Sequence, residues 1–129
     1  MDPVTHFEIP VDEMKRAQRF YEEAFGWTYM APKEGMEGEY EMAMTSETAD
    51  DHKPAERGRI DGALFVRDDS CAGPMITVNV ENIDEAVQRI AAAGGEIVIA
   101  PRDANGLGRY ARFRDTEGNV MSLWESART

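Results

Sequence analysis

At 129 residues the chain is long enough for one domain and too short for two ordinary ones. Twenty-five acidic against fourteen basic residues give a formal net charge of −11, and no cluster of five or more Lys or Arg offsets it, so a nucleic-acid partner is disfavoured. No window approaches the roughly 18 apolar residues of a membrane span, the first residues lack a basic and apolar leader, and the single cysteine, Cys71, permits no intrachain disulfide. A cytoplasmic protein without a membrane partner is expected.

Residues 5–11 alternate, with Phe7, Ile9 and Val11 on one face and His6, Glu8 and Pro10 on the other, the period of a half-buried strand ended by Pro10. Asp12 offers an N-cap oxygen, and Met14, Ala17, Gln18, Phe20, Tyr21, Ala24 and Phe25 give the spacing of a helix that stops at Gly26. Residues 27–30 read as a short aromatic strand before Pro32, and after a Gly-rich turn residues 39–45 read as another. Met36 is one of several methionines expected to fill core. The polar stretch 46–59 is a loop, 60–66 an apolar strand and 68–74 a linker. Residues 75–80 alternate again. Glu81 or Asn82 opens a second helix carrying Ile83, Ala86, Val87, Ile90 and Ala93, stopped by Gly94-Gly95, and residues 96–100, 108–115 and 119–125 supply three more strands.

The two halves repeat each other. Val80, Ala86, Ala93 and Gly95 lie 69 positions after Val11, Ala17, Ala24 and Gly26, while Gly108 and Tyr110 lie 70 after Gly38 and Tyr40. Matching Glu117-Gly118 to Asp61-Gly62 lowers the offset to 56, which places a 14-residue insertion of the first unit in the 46–59 loop. Each unit reads strand, helix, strand, strand, strand, within one domain spanning 1–129: unit one 4–67, linker 68–74, unit two 75–126.

If Phe7, Ile9 and Val11 pack on a helix as Ile76, Val78 and Val80 do, the opposite faces carry His6, Glu8 and Pro10 in one unit and Met75, Thr77 and Asn79 in the other. Ser122 and Trp124 alternate with Met121 and Leu123 in the last strand. These faces are either wet or form a mixed polar and apolar pocket. His6 and Glu8, two residues apart on one strand, have Cα atoms about 6.6 Å apart and can converge on one ion or ligand.

The duplication, together with His6-Phe7-Glu8-Ile9-Pro10-Val11, Phe20-Tyr21-Glu22-Glu23-Ala24-Phe25-Gly26-Trp27 and Asp115-Thr116-Glu117-Gly118-Asn119-Val120, resembles the vicinal oxygen chelate superfamily, the glyoxalase/bleomycin-resistance/dioxygenase family. The resemblance implies an α+β fold of two tandem βαβββ units forming a concave, mostly antiparallel sheet. In metal-dependent members of that family, first and last strands of each unit supply ligands to a divalent ion. His6 falls at the first ligand position, whereas Met75 and Ser122 stand where His and Glu are implied, and residues 62–66 contain no His, Asp or Glu. The implied cofactor is therefore at most one weakly bound divalent metal.

Two functions follow as expectations. One is a lyase, isomerase or oxygenase with His6 as metal ligand and Glu8 as catalytic base. The other is a metal-free protein that sequesters a small molecule, with Trp27, Tyr40, Met75, Asn79, Tyr110, Ser122 and Trp124 binding the ligand. A homodimer is expected in both.

Overall fold

The computed structural model describes residues 1–30 and 38–127. Pro32 and Met36 lie outside the described residues. The chain forms two compact units, His6–Pro74 on the one hand and Met75–Thr129 with Met1–Thr5 on the other.

The first unit contains β1 (Val4–Val11) from His6 onward, α1 (Met14–Phe25), β2 (Thr28–Tyr29), β3 (Tyr40–Met44) and β4 (Gly62–Val66). β1 pairs parallel with β4, while β3 is antiparallel to both β4 and β2. Its core is Val11, Met14 and Leu64, with Ile9, Ala17, Tyr21 and Tyr29 packed against them, so the β1 face bearing Ile9 and Val11 meets the helix. Leu64 has no exposed surface, and burial of such a side chain contributes about 1.5–3 kcal/mol. Pro10 does not end β1, because a φ fixed near −65° is compatible with extended chain; the strand continues through Val11.

The second unit contains β5 (Met75–Asn79), α2 (Ile83–Ala92), β6 (Glu96–Asp103), β7 (Gly108–Arg114) and β8 (Val120–Ser126). β5 pairs parallel with β8, and β7 is antiparallel to β8 and β6. Val80, Ile83, Ala86, Ala111 and Leu123 form its core, covered by Val78, Val87, Ile90 and Phe113. The fold is thus α+β, with two βαβββ units, each built on a mostly antiparallel four-stranded sheet. β6 runs three residues past the expected end at Ala100, through Pro101, with two irregularities in its register to β7. Proline is tolerated there because a missing N–H is least costly at an edge or a bulge.

The helix starts differ in a way the sequence did not announce. Asn82 caps α2, its side chain accepting from the Glu85 N–H at 3.1 Å. Asp12 does not cap α1: Glu13 holds the N-cap position without a side-chain bond, and the Asp12 carboxylate instead accepts from Arg67 Nε at 2.9 Å. Gly26 ends α1 at φ 73°, as expected of a left-handed stop.

Strand register also corrects the repeat. Ala63 stands opposite Glu8 as Ser122 stands opposite Thr77, an offset of 59 rather than 56, and Met42 faces Ala63 as Arg112 faces Ser122, an offset of 70. The first unit's extra segment is therefore 11 residues, not 14. Gly118 and Gly62 are not equivalent: Gly118 takes φ 85° in a turn, whereas Gly62 is a buried strand residue against which the Phe7 ring packs. Among the described residues, no helix is long and apolar enough to cross a membrane.

Candidate functional site

Each sheet turns one face to its helix and one away, and alternation decides which side chains occupy the second face. In the first unit β1 contributes His6, Glu8 and Pro10, β4 contributes Ala63 and Phe65 opposite Glu8 and Pro10, and β3 contributes Met42 and Tyr40 opposite those. This face is not wet: Glu8, Pro10, Ala63 and Phe65 are buried, and His6, Tyr40 and Met42 half-buried. The Tyr40 hydroxyl lies 3.4 Å from His6 Nε2. Burial holds the His6 pKa below the ordinary value, and the negative charges of Glu8 and Asp61 oppose that shift without cancelling it. Asp61 is itself fixed, its Oδ1 accepting from the Thr45 N–H at 3.0 Å.

Trp27 goes elsewhere. Its indole stacks on Tyr21 of α1 at 4.6 Å and tilts against Phe7 at 5.5 Å, among the rings beside the helix. Trp27 is thus not brought together with His6 and Glu8, since Phe7 belongs to the face opposite theirs.

In the second unit the corresponding face holds two cross-strand rows. Thr77, Ser122 and Arg112 stand side by side on β5, β8 and β7, all three at most 6% exposed. Two residues along, Asn79, Trp124 and Tyr110 form the next row, each half-buried. Met75 shares the face and is buried. A Cβ at Gly108 would collide with the Trp124 ring and the Glu125 carbonyl, so only glycine leaves the indole room to lie along the sheet. Trp124 Nε1 donates to Ser126 Oγ at 3.1 Å, which fixes the ring plane. An open groove of about 330 Å³ adjoins, lined by Asn79, Val80, Glu81, Glu125 and Ser126. Glu125 closes the α2 end of it by accepting from the Ile83 N–H at 2.7 Å.

Arg112 and Thr77 were not among the expected site residues. The alternation of β7 about Tyr110 puts Arg112 on the same face two residues on, a signal present in the sequence; its burial was not, because arginine is seldom buried.

The residues at the implied metal-ligand positions do not fit a divalent ion. Met75 offers a thioether where an imidazole is implied, Ser122 a hydroxyl where a carboxylate is implied, and its counterpart Ala63 a methyl group. Structural and catalytic ions need three or four good N, O or S donors. Among the described residues, no three His, Cys, Asp or Glu side chains group to hold one.

Comparison with known proteins places this arrangement. A glyoxylase-like domain-containing protein of Didymella fabae is 27% identical over 125 residues, covering 93% of this chain and 91% of that protein. The protein CFP32 of Mycobacterium bovis is 25% identical over 123 residues, 94% of this chain but 44% of that protein, so the chain spans less than half of that relative. Methylmalonyl-CoA epimerase from Mycobacterium tuberculosis shares the fold at a TM-score of 0.64 and 18% identity, covering 97% of this chain and 88% of that one. Residues 4–123 match the Glyoxalase/Bleomycin resistance protein/Dioxygenase superfamily, and the chain belongs to it.

Proposed function

We propose that this chain is a metal-independent small-molecule binding protein of its superfamily, acting as a homodimer, with a planar or aromatic ligand resting on the Tyr110–Trp124–Asn79 row. The observation that carries the reading is the Trp124 indole, laid over Gly108, tethered through Ser126 and left half-buried beside a groove. A flat π-surface beside an amide is a stacking platform with one oriented donor and acceptor, the combination by which small pockets hold ring-bearing ligands. The thioether, hydroxyl and methyl at the implied ligand positions support a site that works by shape and hydrogen bonding.

The test is a thermal-shift screen of planar carboxylates, quinones and phenols, run with and without excess chelator. A ligand at 100 times its dissociation constant adds about 2.7 kcal/mol of stability. The shift is expected to survive the chelator and to vanish in Trp124→Ala. Shifts that require an added divalent metal would overturn the reading.

A second reading is an enzyme that moves a proton with His6. Its support is the lowered His6 pKa, which keeps the imidazole neutral at pH 7 and able to accept a proton, with the Tyr40 hydroxyl alongside. On this reading Glu8 orients or assists the base, and turnover of a screened ligand disappears in His6→Ala. Binding without turnover leaves the first reading standing.

A further inference from the structure

Helix α1 turns a second apolar surface outward. Phe20 is 57% and Phe25 66% exposed, yet the two rings meet edge to face at 6.4 Å. Phe25 also lies 6.2 Å from the Trp27 ring, and Phe20 lies 5.1 Å from Tyr21. Single exposed apolar residues need no explanation, but adjoining aromatic rings on one helix form a patch of the kind that partners cover. Neither phenylalanine belongs to the unit's buried core.

The charges around the patch identify the partner. Arg16, Phe20 and Glu23 recur at i, i+4 and i+7 and therefore share one stripe of the helix, cation toward the N-terminal end, ring in the middle, carboxylate toward the C-terminal end. Such a stripe is complementary to its own reverse. A two-fold axis at Phe20 lays two copies of α1 antiparallel, brings the Phe20 rings together and sets each Arg16 opposite Glu23 of the other copy. Arg16 pairs only loosely within the chain, at 3.5 Å from Glu13 with both side chains more than half exposed, so that contact yields at little cost. The overall charge of −11 repels a second copy at long range, but solution salt screens that repulsion beyond about 8 Å and leaves the paired stripe decisive at contact.

We infer that α1 is the homodimer surface, two copies docking antiparallel through Phe20 with Arg16 facing Glu23 of the second copy. The inference rests on the homodimer reading and names its surface, in place of pairing between open sheet edges.

Sedimentation velocity of the full chain between about 1 and 100 μM tests it, a range that brackets dissociation constants of ordinary homodimers. Wild type is expected to dimerise, and Arg16→Glu and Glu23→Arg each to weaken the dimer about tenfold by facing like charges. The double variant Arg16→Glu with Glu23→Arg is expected to restore it, because the charges are exchanged and the geometry kept. Phe20→Ser is expected to weaken it alone. A monomer throughout overturns both the surface and the homodimer reading. A dimer indifferent to the single substitutions, or not rescued by the double, overturns the surface and leaves the homodimer. All three positions are exposed on the helix, so circular dichroism matching wild type confirms that each variant is folded.

Discussion

The Tyr40 hydroxyl lies 3.4 Å from His6 Nε2, although β4 runs between the strands that carry them. The contact exists because both side chains leave the sheet on the face turned from α1, where Glu8 and Phe65 are buried as well. An imidazole in that setting pays a desolvation penalty on protonation that the hydroxyl does not offset.

The His6 titration follows from this. Burial lowers its pKa, while Glu8 and then Asp61 raise it. Glu8→Gln removes the larger opposing charge, so the His6 midpoint is expected to fall further. Between the folded midpoint and the unfolded value of about 6.5, the unfolded chain binds more protons than the folded one, so stability rises with pH through that window and levels off above it. The imidazole Cε1–H resonance followed by NMR from pH 4 to 8 checks the midpoint. A rise on Glu8→Gln would show that the Glu8 charge does not raise the His6 pKa.

Gly62→Ala is expected to destabilise the first unit by about 1–3 kcal/mol, the range for overpacking a filled core. The new methyl group would occupy space held by the Phe7 ring, which is confined in turn by Trp27 at 5.5 Å. Adding Phe7→Leu should recover part of the loss. Urea midpoints for wild type and the two variants measure this, and Gly62→Ala alone as stable as wild type would mean the ring moves freely.

The two helix starts give a contrast in one experiment. Asn82→Ala removes the side chain that accepts from the Glu85 N–H and is expected to cost about 1 kcal/mol. Asp12→Ala removes only an exposed partner of Arg67 and is expected to cost between about 0 and 1 kcal/mol. Equal and large losses in denaturant unfolding would imply that Asp12 supports α1 after all.

Both helices, the ordering of the strands and the duplication were legible because period and punctuation are local: Ile83, Ala86 and Ile90 mark one helical stripe, and Gly26 marks its own stop. The faces of β1, β5 and β8 followed from the same alternation. What escaped was everything set by register. The 59-residue offset depends on which β4 residue stands opposite Glu8, and Asp61-Gly62 resembled Glu117-Gly118 in letters while one glycine lies in a strand and the other in a turn. The aromatic chemistry of Trp27 does not reveal its neighbour, the helix ring Tyr21 on which it stacks. Arg112 shares its face with Tyr110 two residues before it on β7, but its place beside Ser122 is visible only once β7 and β8 are aligned. The Asp12 cap failed for a similar reason, since the competing Arg67 lies 55 residues away in sequence.

The central claim is that ligand recognition centres on Trp124 without a metal ion, and Trp124 can report on it directly. With Trp27→Phe as the background, Trp124 is the only indole, and its fluorescence is titrated with a planar aromatic ligand from the screen, once in excess chelator and once with Zn²⁺, Ni²⁺, Mn²⁺ or Fe²⁺ added. The expected result is saturable quenching with the same dissociation constant in every condition, lost in Gly108→Val, whose side chain displaces the indole. Quenching that appears only with a divalent ion and is abolished by His6→Ala would contradict the account.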